Sequence, residues 1–128
     1  MKLTNNFSKS EFDCKSGEDM PSDVLENVKQ LAVQLQAIRD YVGKPIRINS
    51  AYRSKAHNKA IGGVKTSQHI LGKAADITID TFTPDEVVSI IENMLTNEML
   101  GSFYIGGLGS YSTFTHVDTR DKKARWVY

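Results

Sequence analysis

Apolar positions along this chain fall into two long stretches of helical spacing and several short stretches of alternation. From Pro21 onward, Val24, Leu25, Val28, Leu31, Ala32, Leu35, Ile38 and Val42 recur at intervals of three and four. That is the period of one helix face, so the stripe predicts an amphipathic helix whose apolar side is core. Ser22 is placed to cap its start, and Gly43 followed by Pro45 marks its stop. A second helix is predicted behind the sequence Thr83-Pro84-Asp85-Glu86, a capping box with proline at the first helical position. Val87, Val88, Ile90, Ile91, Met94 and Leu95 form its apolar face. A short helix is predicted over Ser54 to Ala60, ended by Gly62-Gly63.

Between and after the helices the period changes to two. Ile46 and Ile48 alternate with Arg47 and Asn49, and Ala75, Ile77 and Ile79 alternate with Asp76, Thr78 and Asp80. Both segments read as strands. The run Phe103 to Arg120 is rich in glycine, aromatic and β-branched residues. It reads as two or three strands joined by tight turns, expected to be antiparallel. Residues 1–20 are polar apart from a few positions, with Phe7 and Phe12 expected to tuck inward. The order of elements predicts an α+β fold: a small, mainly antiparallel sheet with two main helices packed on one side.

Composition narrows the function classes. At 128 residues the chain is expected to be one domain, 1–128, with no attached binding module. Sixteen basic and 15 acidic side chains leave a formal charge of +1. Neither a nucleic-acid partner nor an anionic membrane is therefore expected, and a monomer is. No apolar run reaches signal-peptide or membrane-spanning length, so the chain is expected to be cytoplasmic as synthesised. Cys14 is the single cysteine, so no internal disulfide forms; it reads as an incidental thiol.

The chemistry gathers around five polar residues: Arg53, His69, Asp76, His116 and Asp118. His116 and Asp118 are two apart on a predicted strand, so they leave the same face. Asp76 heads the polar face of another strand. If those strands are neighbours, two imidazoles and a carboxylate meet. Such a set, with a fourth position open to water, is what a catalytic zinc ion takes; an all-oxygen set would suggest magnesium or calcium. Zinc lowers the pKa of bound water to about 7. Asp118 is placed to accept a proton, and an arginine to hold a carboxylate or an oxyanion. Spacing alone leaves the ordinary alternative open, with His69 capping a turn, Asp76 bonding a loop and His116 in a plain strand.

At these residues a resemblance enters. The segments "SAYRS", "IGGV", "SQHILGKAAD", "GGLGSY", "FTHVDTR" and "ARW" resemble the zinc D-alanyl-D-alanine carboxypeptidase family. That family includes D-Ala-D-Ala dipeptidases and phage endolysins, and shares its metal-site fold with lysostaphin-type peptidases and hedgehog. Its signature is matched by Ser67, His69, Gly72, Ala74 and Asp76. The resemblance implies Zn2+ held by His69, Asp76 and His116, with Arg53 touching substrate or the oxyanion. Ser67 falls near the substrate carboxyl end, with a turn hydroxyl the equal alternative. It implies that Gly72 and Ala74 are small so that backbone passes close to the site.

Many relatives carry an acidic general base three residues before the second metal histidine. Here that position is Thr113. Asp118 is the nearest replacement, either as base or as a group holding a ligand histidine or pairing with Arg120. His57 is expected to line the cleft, and Tyr111 to wall the substrate groove; Trp126 is expected to be plain core. The implied function is a peptidase cutting peptidoglycan stem peptides, of D,D-carboxypeptidase or endopeptidase type, with a phage-type lysin favoured. The rival is a non-catalytic peptidoglycan-binding or structural module that keeps the fold and metal.

Overall fold

A computed structural model describes residues 1–100 and 105–128. Phe103 and Tyr104, the first residues of the predicted glycine-rich strand region, lie outside the described residues. Helix α1 spans Ser22–Val42, α2 Lys55–Ala60 and α3 Pro84–Thr96. The strands are β1 Ile46–Ser50, β2 Ala74–Ile79, β3 Gly107–Ser110, β4 Thr115–Asp118 and β5 Ala124–Val127. They form one sheet in the order β1-β2-β4-β3-β5.

The helix ends follow local chemistry. α3 begins with the full capping box, in which the Thr83 side chain accepts from the Glu86 N–H and the Glu86 side chain accepts from the Thr83 N–H. α1 stops at Gly43, whose φ of 68° is left-handed and whose N–H bonds back to the Arg39 carbonyl. Its start differs from expectation. Pro21 occupies the cap position without a side-chain bond, and Ser22 is already helical. Proline's fixed φ lets it flank a helix where no amide partner is needed.

Register sorts the sheet into two faces. Opposed residues in adjacent strands point the same way. Ile48 opposes Ile77, Ala75 opposes Val117, and Val117 opposes Leu108. These residues and the buried stripes of α1 and α3 form one core cluster with Phe7 and Phe12. Leu31, Leu35, Ile38, Ile77 and Ile91 are wholly buried there. Cys14 is part of that core, and its sulfur accepts from the Ser54 N–H at 3.4 Å. A buried thiol behaves as a small hydrophobe.

The opposite face carries Asp76 opposed to His116, and Ala74 opposed to Asp118. Both faces of β2 are largely buried, although simple alternation predicts one wet side. The polar set on the second face is buried with the rest.

One pairing departs from the antiparallel expectation: β3 and β5 are parallel. β4 ends beside the start of β3, as Gly107 opposes Asp118. The chain crosses in residues 119–123 and re-enters at that same end, where the Ala124 N–H bonds to the Gly106 carbonyl. β5 must then run with β3.

Ile77→Ala, at the centre of the buried face, should lower unfolding free energy by about 2–5 kcal/mol. Urea denaturation checks this. Val127→Ala, at an exposed edge position, should stay within about 0.5 kcal/mol of wild type.

Candidate metal centre

The β2–β4 register is what builds the site. It sets Asp76 directly against His116 in the middle of the sheet. A bulge in β1 between Ile48 and Ser50 shifts the pairing so that Ser50 also faces Asp76. His69 arrives from the turns that follow α2, where the Ser67 hydroxyl accepts its backbone N–H at 3.2 Å.

These pieces bring together three donors: His69, Asp76 and His116 each offer one ligand atom within 4.8 Å of the others, and all three are buried. Asp76 Oδ1 lies 3.3 Å from His69 Nε2 and 3.1 Å from His116 Nδ1. A tetrahedral zinc ion with bonds of about 2.1 Å needs donors roughly 3.4 Å apart. The spacing and the two-nitrogen, one-oxygen set suit Zn2+.

The far nitrogens are fixed as well. His69 Nδ1 is 2.7 Å from the Ala51 carbonyl. A carbonyl only accepts, so Nδ1 carries a proton, and Nε2 is the nitrogen that faces Asp76 and that a metal would take. His116 Nε2 is 2.7 Å from Asp118 Oδ2, which likewise leaves Nδ1 for the centre. Imidazoles held this way by a carbonyl and a carboxylate are what metal-binding histidines require.

Asp118 is completely buried. Besides the His116 bond, it accepts from the Arg120 backbone and guanidinium, with Nη2 at 2.7 Å. It lies on the side of the His116 ring away from Asp76. Burial opposes the charged form of Asp118, but the bonds from His116 and Arg120 outweigh it and hold its pKa well below the carboxylate range. Asp76 is likewise held low: burial raises it, and the bonds and charges of the two histidines overcome that. For His116, burial opposes the cation, yet the bonds to Asp118 and Asp76 and their charges raise its pKa.

Arg53 flanks the trio. Its Nη2 is 3.3 Å from Asp76 Oδ2, its Nε 3.2 Å from Ser50 Oγ, and its Nη1 3.4 Å from Asn58 Oδ1. His57, on α2, is half-buried and is not among the three gathered donors. Tyr111 stacks on Phe114 at 4.4 Å and on Tyr128 at 4.8 Å, and its hydroxyl accepts from Trp126 Nε1 at 3.0 Å. Gly72 serves a different neighbour from the one expected. A Cβ there would lie 2.7 Å from Val24 Cγ1 and 2.8 Å from the Val24 carbonyl, so its smallness admits α1.

Trp126 is not plain core. It is half-buried, its ring tilts against His116 at 5.1 Å, and the Arg120 guanidinium lies 5.2 Å from its centroid. Glycine makes this possible. Gly109 lies between His116 and Trp126 in the sheet, and a Cβ on it would come within 2.3 Å of the indole nitrogen. Gly107 does the same for Asp118, whose Oδ2 a Cβ would approach to 2.3 Å. The alternate glycines of β3 were the sequence signal for this, since bare positions on one strand face leave room for neighbours.

Comparison with known proteins bears on this arrangement. The model of the family described as Peptidase M15 matches residues 4–118. The chain belongs to the Peptidase M15 family. Among curated proteins it is similar to a zinc D-Ala-D-Ala carboxypeptidase of Streptomyces albus G, at 30% identity over 118 residues. That match covers 88% of this chain and 45% of the relative, so the chain spans less than half of the relative's length. The match to this M15 family takes in all three gathered donors and Arg53. No helix among the described residues is long and apolar enough to cross a membrane.

The chain's one tryptophan lies against a donor histidine and should report metal. Zinc added to chelator-treated protein should change its emission, and Asp76→Ala or His69→Ala should abolish the change. Titration of the metal-free protein should also show coupled groups. The raised His116 stabilises the fold fully below its ordinary value of 6.5 and less as pH rises through the raised one. The depressed aspartates stabilise above their ordinary 3.8 and lose this on acidification. Melting temperature without zinc should therefore peak between pH 3.8 and 6.5. With zinc it should hold or rise above 6.5, because binding requires neutral imidazole.

Proposed function

We propose that this M15 protein is a zinc-dependent peptidase that hydrolyses peptide bonds in bacterial peptidoglycan stem peptides. The observation that carries this reading is the buried trio of His69, Asp76 and His116, with each imidazole fixed through its other nitrogen. We assign those three as the zinc ligands. When bound there, zinc supplies Lewis-acid polarisation of a peptide carbonyl and a water of lowered pKa.

The protein's own groups do the rest. Ala51 and Asp118 hold the two rings in the tautomers that present Nε2 and Nδ1. Arg53 keeps Asp76 oriented, and its guanidinium is the cation placed to stabilise an oxyanion or hold a substrate carboxylate. Ser67 acts here as the turn hydroxyl that sets His69. Tyr111 supports Trp126, and through that bond backs the indole wall beside His116.

Asp118 has two candidate roles, base or orienting group. Its complete burial and its bonds to His116 and Arg120 favour the orienting role. Asp118→Asn then separates them. An orienting Asp118 predicts zinc affinity lowered about 10–100-fold, with kcat largely recovered at saturating zinc. A base predicts unchanged affinity and a kcat lowered about 100-fold or more.

The reading itself is tested by digesting purified peptidoglycan and identifying the released fragments by mass spectrometry. Zinc-dependent cleavage that a chelator stops and Asp76→Ala lacks is the expected outcome. Clearing of intact cell walls by the same protein tests the lysin role we attach to it. A second reading, a wall-binding module without catalysis, is favoured by one observation: Asp118 is already engaged, and Thr113 stands at the position where the family resemblance implies an acid in many relatives. Zinc-loaded protein that binds walls but releases no fragment would establish it.

A further inference from the structure

A cavity of about 860 Å³ opens between α2 and the turns of residues 61–71, next to the metal centre. Lys55, Lys59 and Lys65 line it, and no acidic side chain does. None of the three is in an ion pair among the described residues. Ile70 contributes to its apolar part. Two lining residues tie it to the centre. Asn58, which is buried, accepts from Arg53 through Oδ1 and donates to the Val64 carbonyl through Nδ2. Ser67 accepts from the His69 backbone. The volume is of the size that takes a small ligand or several residues of an extended peptide.

The geometry points to a carboxylate subsite: we propose that this lysine-lined cavity holds a free carboxylate of the stem peptide, away from the bond being cut. The inference rests on the peptidase reading and names which part of that substrate the protein selects. The chain as a whole carries a charge of only +1, so three unpaired cations around one hollow concentrate positive potential beside the site. Such focusing draws anions from solution and strengthens their hold inside. Lysine suits the task because its ammonium is a mobile point charge that adapts to a flexible peptide carboxylate, whereas a rigid fork would demand one approach. The apolar lining accommodates the aliphatic part of the same residue. Stem peptides meet this description: their D-glutamyl residue carries an α-carboxylate that is free in some walls and amidated in others.

The test uses two synthetic stem pentapeptides that differ only in that carboxylate, free acid against amide, with the zinc-loaded protein. Wild type should cleave the acid with the lower KM, by roughly tenfold, since each exposed ion pair contributes a factor of about two to five. Lys59→Gln with Lys65→Gln should raise KM for the acid toward that of the amide and leave kcat unchanged. Lys→Arg at both positions should restore the preference. Raising salt should narrow the difference in wild type and in the arginine variant, and leave the glutamine variant unchanged. Equal KM values for acid and amide in wild type, or an acid preference unaffected by the glutamine changes, would overturn the subsite while leaving the peptidase standing. Calorimetric titration of both peptides reads the subsite without turnover. Acid-selective binding lost in the glutamine variant, with no cleavage of either peptide, would sink the peptidase reading and keep the cavity's assignment. Equal binding of acid and amide would overturn the assignment whatever the enzyme does.

Discussion

The ring of His116 is the constraint from which the rest of the site follows. One nitrogen faces Asp76 at 3.1 Å and the other faces Asp118 at 2.7 Å. A buried imidazole between two buried carboxylates is costly unless it is charged or one side is met by a cation. The fold answers on both sides. Arg120 neutralises Asp118, and Arg53 with His69 attends Asp76. What results is a linear relay of charge across the sheet, from Arg120 through Asp118 and His116 to Asp76 and Arg53. A divalent ion at the Asp76 end fits that alternation, because it replaces a shared proton with a stronger cation. The structural bonds and the chemical role thus make the same demand on the same atoms.

Burial of this chain of charges explains why the sheet looks as it does. A sheet with helices on one face usually leaves its other face wet. Here β2 is covered on both sides; on the second face His69 and Arg53 lie against its Asp76, and further along the sheet Trp126 lies against His116 of β4. Glycine at 107 and 109 is the space that lets Asp118 and the indole lie flat against β3. The cost of an unfilled strand face is offset by groups that cross over from β4 and β5. Desolvation then strengthens each ion–dipole contact within the site.

The flanking elements divide the labour. α1 and α3 stabilise the sheet from the core face and contribute no donor to the trio. α2 and the turns after it deliver His69 on one side and present an open, lysine-lined hollow on the other. The sheet holds the charged groups whose spacing must not change, and a short helix with turns forms the open hollow beside them. That is the usual division between scaffold and recognition loops.

The sequence by itself determined both long helices and the strands around Ile46 and Ala75, and through a family resemblance it offered His69, Asp76 and His116 as candidate donors. The helix and strand signals are local: period and capping residues. The sequence also held Asp118 open between two roles, and it is packing that favours one of them. The complete burial of Asp118 depends on which strands lie beside β4, and without that burial its bonds to His116 and Arg120, each two residues away, would be ordinary surface contacts. The parallel β3–β5 pair and Gly72 giving way to Val24 were invisible for the same reason, and Trp126 beside His116 was signalled only by the room that the β3 glycines leave. Each is a contact between segments distant in sequence or across a sheet, and side-chain period carries no information about who the neighbour is. Residue type fixed what chemistry was available; register fixed which groups share it.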